Sequence, residues 1–203
     1  MKNLILLIIM MIPFTLNTAR QENLMMENNK KTYMIGYSHY VEQLRLDSIK
    51  LEYKSEGLNF LVALGLRESS GDPHALNSYG YIGKYQFGRS ALKDVGLDSI
   101  TYMKFMRNKA IFPEELQDSA VVVLMKLNED RMSDLIDKYE FTIINGIYIT
   151  RAGLLAAAHL AGAGGVRSFL RSKGDYDPAD GYGTKLSSYL KEFSGYNIDL
   201  AMI

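Results

Sequence analysis

The sequence contains no cysteine and has no excess of either charge. The missing cysteines exclude disulfide bonds, thiolate metal sites, a cysteine nucleophile and lipid attachment of the bacterial lipoprotein kind. Lys plus Arg equals Asp plus Glu at 23 each. Because no basic stripe or Lys/Arg cluster accompanies that balance, the electrostatic footprint of a nucleic-acid-binding protein is missing, and we expect no nucleic-acid partner.

Patterns typical of metal, nucleotide and serine-nucleophile sites are missing as well. The three histidines, His39, His74 and His159, show no metal-ligand spacing. The segment "AAAHLAGAGG" lacks the third glycine of a dinucleotide-binding fingerprint, because Arg167 stands in its place, and no Gly-Lys-Ser/Thr or Gly-x-Ser-x-Gly motif occurs. We expect no metal and no cofactor. A lone histidine among small helical residues is more often a structural side chain than a ligand.

The N-terminus has the order of a secretory signal. An apolar run over residues 4–12 follows a lysine and precedes a proline and small polar residues ending at Ala19. The run is shorter than the roughly 20 apolar residues that a membrane span needs. We predict a signal peptide over residues 1–19, export to the periplasm, envelope or medium, and no membrane span after cleavage. An uncleaved anchor or a buried terminal helix is the alternative. Residues 20–39 are polar and predict a lead segment.

Residues 40–203 have the patterning of one mainly helical domain. The chain is 47% hydrophobic, which suits a domain with a real core. Residues 58–69 are apolar on more than one face, which predicts a central helix, and Gly57 and Gly71 are expected to mark its two ends. Further helices are predicted over residues 40–56, 89–96, 98–112, 113–136, 151–162, 162–174 and 184–195, with a glycine break at residue 162.

Local signals indicate where several helices start and where one turn lies. Asp98 and Thr150 are predicted N-caps, and Pro113 is expected at the first position of the longest helix. The dipeptide Asn145-Gly146 lies among β-branched and aromatic residues and favours a type I′ turn, so a small hairpin is predicted there. The predicted fold class is therefore mainly α with a small β-hairpin.

An acid stands at the end of the predicted central helix. Glu68 is followed by two serines, Gly71 and a loop over residues 72–88. A carboxyl group at the mouth of a cleft would explain this arrangement and could serve as a general acid. The alternative is a solvated glutamate in a last helical turn, although a carboxylate is disfavoured at a helix C-terminus.

The loop that follows supplies side chains of the kind that bind sugars. Tyr85, Gln86 and Phe87 give a ring, an amide and another ring in succession, and such groups stack on saccharides and bond to their hydroxyls. In the alternative interpretation both rings pack in the core and the amide satisfies the backbone.

Three segments taken in order resemble the bacterial soluble lytic transglycosylase family. They are "LRESSGDPHALNSYGYIGKYQFG", "AAAHLAGAGGV" and "GTKLSSYLKEFSGY", and the similarity spans about residues 58–196. Family members carry Glu-Ser at the end of a central helix, then Gly-Ala-x-Gly-Leu-Met-Gln, then Ala-Tyr-Asn-Ala-Gly, and finally a tyrosine in a late helix. The matching residues here are Glu68-Ser69; Gly80, Gly83 and Gln86; Ala158 with Ala161-Gly162; and Tyr189.

The chain departs from the family pattern at several positions. Lys84-Tyr85 stands where the family has Leu-Met, and His159-Leu160 replaces its Tyr-Asn pair. Asn77 stands where a serine is often found. The family asparagine helps to hold the substrate, so Leu160 puts that contact in doubt.

The resemblance implies a lysozyme-like helical fold and a reaction on peptidoglycan. Glu68 would cleave the bond between N-acetylmuramic acid (MurNAc) and N-acetylglucosamine (GlcNAc), acting first as acid and then as base, and would form a 1,6-anhydro end. Tyr189 would orient the acid. The expected substrate contacts are Ser69, Asn77, Tyr85, Gln86, His159 and Tyr189. The expected partners are glycan strands of peptidoglycan, with an envelope-spanning apparatus as a further candidate.

Two other functions stay open on the same residues. A hydrolytic muramidase would need a second carboxyl group about 5 Å or about 6.5–9.5 Å from the first. Asp72 is the nearest acid in sequence, but its place before Pro73 favours a role in the turn. The other candidate is a wall-binding or assembly protein that has lost activity.

Overall fold

A computed structural model describes the backbone of residues 2–201 and the side chains of residue 18 and residues 20–201 except 33 and 37. These residues form a mainly helical fold with one small hairpin, so the predicted fold class is confirmed. The elements in chain order are α1 (Lys2–Ser69), α2 (Arg89–Asp94), α3 (Tyr102–Arg107), a 3₁₀ helix (Lys109–Ile111), α4 (Glu114–Arg131), α5 (Ser133–Tyr139), β1 (Ile143–Ile144), β2 (Ile147–Tyr148), α6 (Arg151–Arg171) and α7 (Leu186–Glu192).

The chain divides into two units, Met1–Lys50 and Leu51–Ile203. In the first unit the predicted lead segment, residues 20–39, is helical, and the side chains described there are exposed. The predicted signal peptide lies outside the described side chains apart from Thr18. In the part of the chain with described side chains, no helix is long and apolar enough to cross a membrane.

The second unit contains the end of α1 and all the other elements. The predicted helix break at Gly57 is wrong, because α1 continues through this residue. A single glycine costs a helix only about 1 kcal/mol relative to alanine, which the flanking turns tolerate. The end of α1 is also less central than predicted. It buries Phe60, Leu61 and Leu64, whereas three other apolar side chains are exposed: Leu58, Val62 and Leu66.

The most buried helix is α6. All side chains of residues 152–158 are buried, and α6 packs against α4, α5 and α7. The small side chains allow a close approach to α7, since a Cβ atom on Gly153 would lie 2.9 Å from the carbonyl oxygen of Leu190. Thr150 caps α6 as predicted, because its hydroxyl accepts a hydrogen bond from the Gly153 N–H at 3.2 Å.

Gly162 divides α6 into two parts. Its φ of 68° and ψ of 167° lie outside the helical region, in backbone space that is open essentially to glycine alone. The predicted glycine break is therefore confirmed. Ala161 separates this kink from His159 and Leu160, which stand where the resembling family has Tyr-Asn.

Other helix boundaries differ from the predictions by a few residues. Asp98 is not the cap of α3, because the helix starts at Tyr102 and the Thr101 hydroxyl accepts the Lys104 N–H at 3.3 Å. Pro113 stands one position earlier than predicted, as the residue before α4. The long helix predicted to continue toward residue 136 is divided into α4 and α5 at Met132.

The predicted hairpin is confirmed. Strands β1 and β2 pair antiparallel, with Ile143 opposite Tyr148 and Ile144 opposite Ile147. The two turn residues, Asn145 and Gly146, have φ values of 50° and 74°, the pair of positive values that a type I′ turn requires.

Candidate active site

Residues from distant parts of the second unit line one cavity of about 420 Å³. This volume is within the range of about 300–1,000 Å³ that is usual for ligand sites. The lining comes from the end of α1, the 72–88 loop, α6, the segment before α7, and α7 itself. The residues are Arg67, Glu68, Asn77, Tyr79, Tyr81, Gln86, His159, Leu160, Asp180, Gly181, Tyr182, Thr184 and Tyr189.

Glu68 and Tyr189 are hydrogen-bonded inside this cavity. The Tyr189 hydroxyl donates to Oε1 of Glu68 at 2.6 Å. Glu68 is half-buried, whereas Tyr189 is only 3% exposed and stacks on Phe193 with ring centroids 5.8 Å apart. Burial and the nearby Glu68 carboxylate raise the pKa of Tyr189, so the phenol keeps its proton and remains a donor. Because Oε1 receives this hydrogen, a transferable proton on the Glu68 carboxyl belongs on Oε2.

Arg67 places a positive charge next to this pair. Its guanidinium carbon lies 5.2 Å from the centroid of the Tyr189 ring, and Nη1 lies 3.3 Å from Oε2 of Glu192. A guanidinium over an aromatic face is an attractive arrangement. Arg67 therefore packs against the ring that holds the acid, and it also lines the cavity.

Gln86 has two roles in the 72–88 loop. Residues 82–87 of the loop form a tight turn, in which the backbone groups of Ile82 and Phe87 exchange hydrogen bonds at 3.1 and 2.8 Å. Within this narrow turn, Nε2 of Gln86 donates to the carbonyl of Gly83 at 2.9 Å. The same side chain lines the cavity, so the amide satisfies the backbone and also meets the site.

A buried glutamine on α4 fastens this loop. Gln117 has no exposed surface, and its Oε1 accepts the Lys84 N–H at 2.6 Å. Its Nε2 donates to the carbonyl of Pro73 at 2.8 Å and to that of Phe112 at 2.7 Å. The Gln117 amide thus uses both of its donor hydrogens and one of its two acceptor lone pairs on backbone groups.

Two of the predicted substrate contacts, Ser69 and Tyr85, hold the loop and are not among the described residues that line the cavity. The Ser69 hydroxyl donates to the carbonyl of Lys84 at 2.7 Å. Tyr85 is 1% exposed, and its hydroxyl donates to Oδ1 of Asp118 at 2.7 Å. Burial, together with Asp118, raises the pKa of Tyr85. The interpretation of Tyr85 as a core side chain is thus the one that agrees with the structure.

Asn77 and His159 line the cavity but also support the backbone. Oδ1 of Asn77 accepts the N–H groups of Tyr79 at 2.9 Å and Tyr81 at 3.1 Å. Nε2 of His159 lies 2.8 Å from the carbonyl oxygen of Tyr85. Because a carbonyl only accepts, Nε2 carries the hydrogen, and His159 holds the inner side of the loop.

The cavity continues beyond His159. A second cavity of about 320 Å³ shares Tyr81, Gln86, His159 and Leu160 with the first. The two cavities therefore adjoin at these four residues.

A second carboxylate lies in the cavity, but it is not Asp72. Oδ1 of Asp72 accepts the His74 N–H at 2.8 Å in an exposed turn, as the turn interpretation predicted. The carboxylate that lines the cavity with Glu68 is Asp180. Its Oδ1 accepts the N–H groups of Tyr182 at 2.9 Å and Thr184 at 2.7 Å.

Sequence reasoning missed several lining residues. A usable signal was present in the polar stretch "ADGYGT", which directly precedes the helix of Tyr189 and carries an acid and an aromatic ring in a tight turn. The missed residues are Arg67, Tyr79, Tyr81, Asp180, Gly181, Tyr182 and Thr184.

Function must be argued from this geometry. No model of a known protein family matches the chain, and no curated protein and no solved structure matches it.

Proposed function

We propose that this chain is an exported peptidoglycan lytic transglycosylase, which cleaves the β-1,4 bond between MurNAc and GlcNAc and leaves a 1,6-anhydro-MurNAc end. The observation that carries the proposal is the 2.6 Å hydrogen bond from Tyr189 to Glu68 in a cavity of ligand size. The two residues are 121 positions apart, and they are the two that the family resemblance pairs as orienting group and acid.

The reaction needs one carboxyl group in two roles. Glu68 donates the proton on Oε2 to the glycosidic oxygen, and the bond from that oxygen to C1 of MurNAc breaks. The carboxylate then takes the proton of the MurNAc C6 hydroxyl, whose oxygen bonds to C1. The proton balance closes without water. The attacking hydroxyl belongs to the same sugar, so its effective concentration is high.

The surroundings of Glu68 suit a neutral, hydroxyl-rich ligand. Gln86 and Asn77 bring amide groups to the cavity, and Tyr81 brings an exposed aromatic ring. Amides bond to hydroxyl and acetamido groups, and aromatic faces stack on sugar rings. Leu160 gives an apolar surface where the resembling family has an asparagine, so the amides of Gln86 and Asn77 are the candidates for that role here.

Hydrolysis is the second candidate, and Asp180 is the observation that favours it. A hydrolytic muramidase uses a second carboxylate to activate water or to stabilise the intermediate. Asp180 lines the same cavity as Glu68. However, its Oδ1 is engaged by two backbone N–H groups, a position typical of a residue that shapes a turn.

The products of the reaction test these proposals. Purified peptidoglycan is incubated with the wild-type protein and with Glu68→Gln, Asp180→Asn and Asp72→Asn, and the released muropeptides are analysed by mass spectrometry. We expect anhydro products from the wild type and from Asp72→Asn, whose carboxylate lies in an exposed turn. Glu68→Gln should release none, because the amide can neither protonate the glycosidic oxygen nor accept the proton of the C6 hydroxyl.

Other outcomes would assign the site differently. Reducing-end products that disappear in Asp180→Asn would favour the hydrolase. Glycan binding without release by any of the folded proteins would favour an inactive wall-binding protein.

Export is the remaining part of the proposal, and it is supported by the order of residues 1–19. Fractionation of cells and N-terminal sequencing of the mature protein test it, with a cut after Ala19 as the expected result.

A further inference from the structure

Two tyrosines join two of the segments that line the cavity with Glu68. The Tyr79 hydroxyl donates to the carbonyl of Gly181 at 2.8 Å, and the hydroxyls of Ser78 and Tyr182 lie 3.2 Å apart. The rings of Tyr79 and Tyr182 meet edge to face, with centroids 4.7 Å apart at 86°. Tyr79, Gly181 and Tyr182 all line the cavity. We call this set of four residues the tyrosine latch.

Each side of the tyrosine latch is built on a turn held by its own side chain. Asn77 accepts the Tyr79 N–H on one side, and Asp180 accepts the Tyr182 N–H on the other. The turns are therefore ordered independently of the contacts between them. Their residues are more than 100 positions apart in the sequence, so the latch is a tertiary contact and not a local one.

A glycine makes the contact between these two segments possible. A Cβ atom on residue 181 would lie 2.8 Å from Cε1 of Tyr79 and 2.9 Å from its Cζ. The Tyr79 ring thus packs directly on bare backbone, and its hydroxyl reaches the Gly181 carbonyl from that position.

The contacts between the two sides are exposed, which makes them weak. Tyr79 is 57% exposed and Tyr182 is 61% exposed. Hydrogen bonds at such positions exchange readily with water, and contacts between surface loops open on fast timescales. The latch can therefore open without unfolding of the α-helical core.

Two segments that line the cavity are joined while the latch is closed. The interior of a long glycan strand continues in both directions, so it enters a cleft sideways, whereas a strand end can enter along the cleft. A closed bridge between these segments obstructs the first route more than the second. We propose that the tyrosine latch is a gate that selects strand ends, and that the interior of a strand reaches Glu68 only when the latch opens. This inference rests on the proposed glycan-cleaving function.

Three variants change the latch in different ways. Tyr79→Ala removes the ring and the hydroxyl, and Tyr79→Phe removes only the bond to the Gly181 carbonyl. Gly181→Ala keeps both tyrosine side chains but adds a methyl group that displaces the Tyr79 ring. Tyr176→Phe is the control, because Tyr176 is an exposed tyrosine of the same connecting segment and is not among the described residues that line the cavity.

The assay compares internal with terminal cuts. Peptide-free glycan strands of narrow length distribution are digested to low conversion, and the products are separated by size. Terminal cuts release small fragments while most strands keep their length, whereas internal cuts shorten the whole distribution. Each protein is also assayed on a short muroglycan oligosaccharide, for which both routes are equivalent.

We expect terminal cuts to predominate for the wild type and for Tyr176→Phe. Tyr79→Ala and Gly181→Ala should raise the ratio of internal to terminal cuts by about tenfold, which corresponds to a shift of about 1.4 kcal/mol in the opening equilibrium. Tyr79→Phe should give an intermediate ratio, since the ring contact is kept.

Two results would overturn the gate while leaving the enzyme in place. One is predominantly internal cutting by the wild type. The other is an unchanged ratio in Tyr79→Ala and Gly181→Ala when both variants are folded and cleave the short oligosaccharide. A wild type that cleaves neither substrate would instead refute the proposed function, and the gate with it.

Discussion

Replacement of Tyr189 by phenylalanine tests the central contact of the proposed site. The substitution removes the hydroxyl that donates to Oε1 of Glu68 at 2.6 Å. The ring that stacks on Phe193 and lies beneath Arg67 is kept. The variant therefore removes the hydroxyl that bonds to Glu68 and also interacts with Arg67, and it leaves the packing of the rings in place.

The expected loss follows from the kind of bond. A hydrogen bond to a charged group contributes about 1.5–3 kcal/mol. If the bond acts in the transition state, this corresponds to a loss of about 10- to 150-fold in rate. The bond is made to the acid and not to the substrate, so kcat should fall and KM should change little. The melting temperature should change little, because the buried ring remains.

Initial rates on peptidoglycan, measured alongside thermal unfolding, test this expectation. Tyr196→Phe is a matched control, because the Tyr196 ring packs on Phe193 and Phe60 with centroids 5.8 Å from each and is not among the described residues that line the cavity. It should keep the wild-type kcat. A Tyr189→Phe variant with unchanged kcat would refute the role of Tyr189 in orienting the acid. Equal losses of kcat in Tyr189→Phe and Tyr196→Phe would mean that Tyr189 acts through packing and not through its hydrogen bond to Glu68.

Two further predictions concern stability. Gly162→Ala should lower the free energy of unfolding by about 1–3 kcal/mol, because an alanine is strained at φ 68° and ψ 167°. Gly164→Ala in the same helix, where a Cβ atom meets nothing within 4 Å, should be neutral or stabilising by up to about 1 kcal/mol. Urea titration compares the two, and equal effects would contradict the assigned strain. The second prediction concerns alkaline pH. The pKa of Tyr85 is raised in the folded state by burial and by Asp118. The contribution of Tyr85 to the free energy of unfolding is therefore fully present below the unfolded pKa of about 10, and it is lost as the pH rises above that value. Between pH 10 and 11, the decline in unfolding free energy of Tyr85→Phe should therefore be smaller than that of the wild type by about 1 kcal/mol. Parallel declines in wild type and variant would contradict it.

Local signals in the sequence predicted local structure well. The Asn145-Gly146 turn, the Thr150 cap and the break at Gly162 each depend on the conformational preference of one or two residues, and all three are confirmed. The helix break predicted at Gly57 does not occur. The free-energy cost of one glycine in a helix is small compared with the free energy gained by packing the residues around it.

The hydrophobic pattern was a poorer guide to which helix is central. The leucine-rich residues 58–69 predicted a helix buried on several faces, yet Leu58, Val62 and Leu66 are exposed. The buried helix is the alanine-rich α6, where residues 152–158 are covered on all sides. Small side chains allow neighbouring helices to approach closely, and a count of large apolar residues does not reveal that effect.

Pairings in the site were accessible from sequence only through the motif order. No local pattern links Glu68 to Tyr189, 121 positions away, and none links Tyr79 to Tyr182. The distinction between Tyr85 and Gln86 was not accessible in this way, and Tyr85 was wrongly expected to contact the substrate. Residues 83–86 form a turn in which Gln86 has a φ of 49°, so no strand period decides which neighbouring side chain is buried. Tertiary folding decided the composition of the cavity.

The anchoring of the loop by Gln117 has a consequence for sequence divergence. Its amide accepts one backbone N–H and donates to two backbone carbonyls. Glutamate lacks the donors, methionine lacks donors and a strong acceptor, and asparagine is one methylene shorter. Position 117 thus has little freedom to vary although it does not line the cavity. Any homologue that keeps the 72–88 loop is therefore expected to keep this glutamine in α4.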